Sequence, residues 1–416
     1  MLLHLRIADN NALDRSRHAV GNLAGCWHRH ILSRLNTCEL IYGFGLLKEF
    51  EMKIRIKTFY VLCFAFLCLP LSVIGQDSFL KSAAVDSAVA EQMKQQRLVG
   101  VAVGIIQNST VVYTKGYGFS NFESRTPVNE SSVFNWASNS KPVMAVAAMQ
   151  LVETGELDLD LAIEKYLPDL PDHLSAVTTR QLLCHQSGIP HYSNGRIVPS
   201  GKRITARQEL DPFISIHRFA LSPLIFRPGS KTDYSSYAYV LLSSVVQSAG
   251  KKKIETQLVE RIGRPLDLKS FQLDLPLTGQ KNWVIGYKIA NGAPEPIEDY
   301  AHFWKHGAGG YKSDVRDFAK FANALANKQL ISEKTTTAMW TNQKTADGVK
   351  SKYGLGVVVE GEGRSLKISH NGSQDETRTR MVLYPNQGHG VVVMCNTQGG
   401  VPGRITTAVY SAMNSR

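Results

Sequence analysis

Apolar residues recur along this chain with two different periods, and the period changes twice. SFLKSAAVDSAVAEQMKQQ (78–96) spaces them three and four apart, which predicts an amphipathic helix. VGVAVGIIQNSTVVYTKGYG (99–118) then sets two β-branched runs around a short Gln-Asn-Ser turn, the pattern of a hairpin. From about Ser138 to Gln280 the signals are mostly helical, with loop-like stretches between Asn194 and Lys202. Strand patterns return in YGLGVVVEGEGRSLKISHNG (353–372) and TRMVLYPNQGHGVVVMCN (379–396), which predict three more strands joined by Gly, Pro and Asn turns. RITTAVYSAMN (404–414) predicts a closing helix.

Strands at both ends and helices between them predict an α+β protein. Its antiparallel five-stranded sheet is built from both chain ends and flanked by helices, with a helical domain inserted between the halves. The sheet part covers about 76–135 and 285–416, and the helical part about 136–284. Internal repeats and low-complexity linkers are lacking. Stretches around Asn194–Gln208 and Asn282–Trp304 carry no motif and are expected to wall a cleft.

The first 75 residues read differently. MKIRIKTFYVLCFAFLCLPLSVIGQD begins at Met52 with Lys53, Arg55 and Lys57, continues as an apolar run, and places Val73 and Gly75 at small-residue cleavage positions. That layout predicts a secretory signal peptide over 52–75, with residues 1–51 a spurious upstream extension and the mature chain periplasmic or secreted. The apolar run is short for a membrane span, and no small residue precedes Cys63 or Cys68 as a lipid anchor would require. No stable membrane anchor is therefore expected after cleavage.

The 416 residues carry 47 Lys/Arg against 35 Asp/Glu, a formal charge of +12. Residues 1–75 hold nine of the basic and five of the acidic groups, so the remainder has 38 against 30, a charge of +8. The excess is scattered apart from Lys251–Lys253, and no basic stripe is interleaved with aromatics, which argues against a nucleic-acid partner. Four of the six cysteines lie in the first 75 residues. Cys184 and Cys395 sit in apolar contexts and are expected as buried free thiols.

Candidate chemistry lies in FNWASNSKPVMAVAAMQLVETG (134–155). Ser138 precedes Lys141 by three residues, so both share one face of a helix that Pro142 opens and Gly155 closes. A serine becomes a nucleophile when a base takes its proton, and a buried lysine with a lowered pKa can be that base. An N-cap serine beside a solvated lysine would have the same spacing. Two further stretches change the balance: RPGSKTDYSSYAYVLLSSVVQ places Tyr234 after a Pro-Gly turn, and LKISHNGSQDE places His370-Asn371-Gly372 on a strand.

Together these motifs resemble the serine β-lactamase and penicillin-binding protein superfamily, and within it the class C-like group. That group includes family VIII esterases, D-alanyl-D-alanine carboxypeptidases and LACTB-like serine hydrolases. LVETGELDLDLAIEKYLPDLP, TTRQLLCHQSGIPHY, GAGGYKSDVRDFAKFANAL and KYGLGV extend the resemblance from about Val99 to Asn396. It implies a β-lactamase/transpeptidase-like fold with Ser138 as acylated nucleophile, Lys141 as proton acceptor and Tyr234 as proton relay to the leaving group. His370 would line the edge strand, and the N–H groups of Ser138 and Ser373 would form the oxyanion hole. Ser236, Asn371 and Gly372 would contact substrate, Gly372 by leaving room for its backbone.

Two departures matter. The family's Tyr-x-Asn reads Tyr234-Ser235-Ser236 here, and a serine hydroxyl reaches less far than an asparagine amide. His370 stands where dedicated lactamases carry lysine, which removes a permanent charge that would grip a β-lactam carboxylate. Both lean toward an esterase or peptidase acting on a small-molecule or peptide substrate, with no cofactor. A cell-wall carboxypeptidase or β-lactamase proper is the alternative, and a catalytically weak penicillin-binding or sensing module is another of a different class. Cys184, His185 and His191, and His302 with His306, supply metal-ligand types but lack a metalloprotease Glu or a Cys-x-x-Cys. They are expected to frame the cleft rather than hold a metal.

The leader pattern makes a direct prediction. N-terminal sequencing of the secreted or periplasmic protein should begin at Gln76; a mature product retaining Leu2 to Glu51 would overturn the start site at Met52.

Overall fold

A computed structural model describes residues 79–275, 282–298 and 301–415. The upstream extension and signal peptide expected over 1–75 lie outside the described residues. The main sheet has seven strands in the order β3-β2-β1-β12-β11-β10-β9. Five are long: β1 (Gly100–Gln107), β2 (Thr110–Asn121), β10 (Lys367–Gln374), β11 (Thr377–Tyr384) and β12 (His389–Cys395). Two short strands at the edges, β3 (Thr126–Pro127) and β9 (Val358–Glu360), were not separable as strand patterns in the sequence.

The β1–β2 turn is Asn108-Ser109 with φ of 50° and 62°. Two left-handed residues in a two-residue loop give the twist that a hairpin needs. β1 then pairs antiparallel with β12, Val101 opposite Cys395 and Ile106 opposite Gly390, so the two chain ends meet in the middle of the sheet. Alternation splits the side chains of β1 between two cores. Val101, Val103 and Ile105 pack with Val85, Val89, Ile405 and Val409 from the helices Ser82–Gln96 and Pro402–Asn414. Ala102 and Ile106 face the larger core, which runs without a break into the helical segment. The inserted helices therefore share one apolar interior with the sheet.

That interior is organised around three helices. Ser140–Glu153 carries small and apolar residues on every face and is almost wholly buried. Ser236–Ala249 is capped by the Ser235 hydroxyl, which accepts from the Ala238 N–H at 3.1 Å. Val315–Ala326 is capped by the Asp314 carboxylate, which accepts from the Asp317 N–H at 3.0 Å. A minor sheet of β4 (Phe134–Asn135), β8 (Tyr311–Ser313) and β5 (Gln272–Leu273) leads into the serine helix. Cys184 and Cys395 are buried free thiols.

One expected loop proved structured. Within 282–304, β6 (Tyr287–Ala290) and β7 (Ala293–Pro296) form a hairpin across Asn291-Gly292, with φ of 51° and 83°. Asn-Gly is a strong two-residue hairpin signal, hidden here because the flanking strands are short and only half-buried. The stretch from Asn194 to Arg207 is irregular, as expected.

Trp136 fixes the approach to the serine helix. It is fully buried, its ring centre lies 4.4 Å from Phe318, 5.3 Å from Phe271 and 5.7 Å from Phe321, and its Nε1–H donates to Ser313 Oγ at 2.8 Å. Trp136→Ala should destabilise the fold by about 3–5 kcal/mol, read from urea unfolding midpoints. A loss below about 1 kcal/mol would show that this aromatic cluster does not anchor the segment.

Candidate active site

The nucleophile candidate sits on a strained turn. Residues Ala137–Asn139 form a short 3-10 turn directly ahead of the helix Ser140–Glu153, and Ala137 has φ of 48°. Left-handed geometry at alanine costs on the order of 1–3 kcal/mol, so the surroundings must enforce it. They do so from two sides. The Ala137 N–H donates to Asn135 Oδ1 at 2.6 Å, and β10 packs against the turn through Gly372. A Cβ on Gly372 would lie 2.4 Å from the Trp136 carbonyl oxygen and 3.1 Å from the Ala137 Cβ. Gly372 was expected to leave room for substrate; the protein itself fills that room, and the glycine permits the strand to dock on the serine turn.

Lys141, second residue of the helix Ser140–Glu153 and one turn on from Ser138, is fully buried. Its Nζ lies 2.6 Å from the Ala308 carbonyl oxygen, 3.2 Å from Ser236 Oγ and 3.2 Å from Ser138 Oγ. Burial, reinforced by the nearby ammonium of Lys305, holds its pKa well below the usual lysine value. A neutral amine has two N–H donors and one lone pair. Ala308 O and Ser236 Oγ can take the two donors, which leaves the lone pair for the Ser138 hydroxyl proton. Ser236 thus does reach the lysine despite its short side chain.

Tyr234 completes the cluster, its hydroxyl donating to Ser138 Oγ at 2.8 Å. Burial pushes its phenol well above the ordinary value, with the Ser138 hydrogen bond opposing in part. The tyrosine is thus held as a neutral acid beside an amine whose charged form is disfavoured. Environments that drive two titratable groups apart in this way assign one as acid and the other as base. Two histidines back the tyrosine: His185 lies 4.4 Å and His191 5.4 Å from it between ring centres. Their Nδ1 atoms accept from the backbone N–H of Ser235 and Ser236, at 3.3 and 3.2 Å, at the start of the helix Ser236–Ala249. An Nδ1 that accepts carries no proton. Burial and the nearby Lys141 hold both imidazoles down, His191 to about 4.

The edge strand divides its residues between two faces. His370, Gly372 and Gln374 point toward the serine turn; Asn371 and Ser373 are exposed on the other face, where the Arg380 guanidinium holds the Asn371 side-chain oxygen. The Asn371 side chain, expected at the substrate, is thus turned away from Ser138 by the period of two. Ser373 stays relevant through its backbone. Gln374 and Thr377 close the two-residue turn to β11, and alternation then directs the Ser373 N–H and C=O to the opposite edge. β9 pairs with β10 only from Lys367 to Ser369 and leaves that edge open beyond. His370 donates from Nδ1 to the Asn371 carbonyl oxygen at 2.7 Å, so its Nε2 is free to accept. Burial, with Lys141 beside it, pushes its pKa down to about 3.

The sequence profile of the family described as Beta-lactamase matches residues 85–412. The chain belongs to the β-lactamase family. Among curated relatives, Protein flp of Staphylococcus aureus (strain NCTC 8325 / PS 47) is 20% identical over 319 residues, covering 75% of this chain and 62% of flp. The chain therefore spans less than two thirds of that relative's length. Esterase EstB of Burkholderia gladioli is 27% identical over 231 residues, covering 53% of this chain and 58% of EstB. Among solved structures, D-amino acid amidase from Ochrobactrum anthropi SV3, complexed with D-phenylalanine, superposes with a TM-score of 0.67 at 23% identity, covering 81% of this chain and 99% of that one.

In this β-lactamase-family site, Ser138, Lys141, Tyr234, Ser236 and His370 are brought together, with the Gly372 and Ser373 backbone alongside. Residues that sequence reading missed are Gln374, Lys305 and the Ala308 carbonyl. Gln374 donates to the Gly309 carbonyl oxygen at 3.2 Å and accepts from Lys305 Nζ at 2.7 Å. Inward alternation from His370 was the signal for Gln374; nothing local marked Lys305, which stood between two more conspicuous histidines. Those histidines diverge. His302 meets Glu376 at 3.4 Å, whereas His306 meets Glu255 at 3.5 Å and the Glu209 carbonyl oxygen at 3.2 Å. No group of three or more His, Cys, Asp or Glu is placed to hold a metal ion among the described residues.

The neutral state of His370 has a consequence for acid stability. Its folded pKa lies below the unfolded value of about 6.5, so the unfolded chain binds the extra proton between the two. Its contribution is complete above about pH 6.5 and falls away as pH drops toward 3. Unfolding free energy should therefore decline from pH 6.5 to 5, and His370→Asn should reduce that decline by up to about 1.4 kcal/mol per pH unit. Identical slopes for the two proteins would show that His370 takes up its proton equally in the folded and unfolded states.

Proposed function

We propose that the protein is an acyl-serine hydrolase that cleaves an ester or a peptide-like amide through an acyl-enzyme at Ser138, acting after export in the periplasm or outside the cell. One observation carries the reading: Tyr234 Oη and Lys141 Nζ converge on Ser138 Oγ at 2.8 and 3.2 Å, the lysine fully buried. Family membership and the likeness to an esterase support it. The leader-like pattern at 52–75 is the basis for export.

In this reading the Lys141 amine takes the Ser138 proton as Oγ attacks the carbonyl carbon. The developing oxyanion is received by the N–H groups of Ser138 and Ser373, fixed donors of the kind whose removal costs about 10²–10³-fold in kcat elsewhere. The Tyr234 hydroxyl gives its proton to the departing oxygen or nitrogen and regains one from the Lys141 ammonium. Water then attacks the acyl carbon and the same pair runs in reverse. His370 offers an accepting Nε2 beside Tyr234 and no positive charge. That favours neutral ester or amide leaving groups over a β-lactam, whose carboxylate would find no cation at this position.

Intact-mass measurement after exposure to a p-nitrophenyl ester, and separately to a penicillin, tests the proposal. A transient mass gain localised to Ser138 and abolished in Ser138→Ala is expected with the ester. Ester turnover that survives Ser138→Ala would remove the assignment. A long-lived penicillin adduct without turnover would indicate a carboxypeptidase or sensor, and rapid nitrocefin hydrolysis a lactamase. Tyr234→Phe should lower kcat by about 10²–10⁴-fold with a far smaller change in KM, and equal changes would argue against a proton relay.

A further inference from the structure

We infer that Lys305, with Gln374 and the rings of Tyr192 and Trp304, forms a subsite for a carboxylate carried on the acyl half of the substrate. This rests on the acyl-serine reading and names the substrate class for it. Lys305 lies in the turn Phe303–Ala308, whose last carbonyl holds Lys141, and its Nζ donates to the neutral Gln374 amide oxygen at 2.7 Å. The Nζ stands 5.5 Å from the Tyr192 ring centre and 5.6 Å from that of Trp304. Lysines in so sheltered a place ordinarily meet a carboxylate. Lys305 has none within ion-pair distance among the described residues, whereas the more deeply buried Lys312 is paired with Asp274.

Two of the nearby acids are already engaged. Glu376 faces His302 at 3.4 Å, and Asp274 serves both Lys312 and the His302 N–H. Asp375 is exposed in the β10–β11 turn. A second cation lies across the same indole: the Arg218 guanidinium sits 4.1 Å from the Trp304 ring centre while its nitrogens hold Glu209. Among the described residues the result is a half-buried ammonium with a single neutral hydrogen-bond acceptor, bordered by aromatic faces.

Its position along β10 says which half of the substrate it meets. Tyr234, near His370, delivers the leaving-group proton. Gln374 lies four residues further along the same strand, about 13 Å away at the usual rise. The subsite is therefore at the acyl end. Half-esters and half-amides of dicarboxylic acids fit it, while an acyl group bearing an ammonium would be repelled. Burial lowers the Lys305 pKa to about 8, against the raising influence of Glu376, Asp274 and Asp375, with Arg218 opposing. Lys141 and His191 face the same charge. The ammonium is present at neutral pH and is lost above about 8.

The test compares the mono-p-nitrophenyl ester of adipic acid with p-nitrophenyl hexanoate, which share a leaving group and chain length. Wild type should prefer the charged ester in kcat/KM, and the preference should fade as pH rises through about 8. Lys305→Met should cut the charged-to-neutral ratio at least tenfold, mainly through KM, and abolish its pH dependence. Lys305→Arg should restore the ratio. With the neutral ester, Lys305→Met should also move the acidic limb of the rate profile to higher pH, because Lys141 loses a repelling neighbour. Equal losses on both esters, or a ratio flat in pH for wild type, would overturn the subsite and leave the hydrolase reading intact. Turnover of neither ester by wild type would overturn both.

Discussion

An amine kept out of water governs this molecule. In bulk solvent Lys141 would be an ammonium at neutral pH and useless as a base. Packed inside the helix Ser140–Glu153 and screened on its open side by Tyr234, it loses the hydration that stabilises the charge. Each unit by which its pKa is lowered costs the folded state about 1.4 kcal/mol at pH values below the lowered value. The fold thus carries a destabilising group, and the surrounding core offsets it. Among the described residues three polar atoms bond the amine: Ala308 O, Ser236 Oγ and Ser138 Oγ. Their number matches what a neutral amine can donate and accept, and none is a carboxylate that would draw the proton back.

The rest of the architecture delivers the serine to that amine. Pairing β1 with β12 brings the chain ends together and so fixes β10 two strands away, on the margin of the sheet. β9 is too short to cover β10 beyond Ser369, which leaves a backbone edge open where a substrate carbonyl would lie. From the other side, Trp136 and its ring of phenylalanines hold the segment that ends in left-handed Ala137. Sheet edge and strained turn meet at Gly372, where even one methyl group would drive them apart. The geometry of Ser138 is therefore set by packing contributed from both ends of the chain.

What could be read from sequence follows from the range of each interaction. Ser138 and Lys141 were legible because helical periodicity alone places residues three apart side by side. Tyr234 and His370 were legible only as members of a familiar set, since nothing in their own neighbourhoods specifies where they fold. The Asn371 side chain was assigned to the wrong face because a motif lists consecutive residues, while a strand alternates them. Gln374, the next inward position after Gly372, was recoverable by the same rule. Lys305 was not recoverable. Its contacts span 69 residues to Gln374 and more than a hundred to Tyr192, and only the folded chain brings them together.

Two neighbouring lysines with lowered pKa values are not independent. Lys305 is among the causes that hold Lys141 down, acting through space past the Lys141–Ala308 and Gln374–Gly309 hydrogen bonds. Positive charge on one therefore works to keep the other neutral, and in the proposed reaction the free site would hold Lys141 ready for the serine proton. A carboxylate bound at Lys305 would cancel part of that repulsion and raise the proton affinity of Lys141 when the scissile carbonyl is in place. The stronger base would then pull the serine proton more effectively, at the moment the nucleophile is needed. Binding at the far end of β10 and proton transfer at Ser138 would be linked by electrostatics alone, with no movement of the fold required.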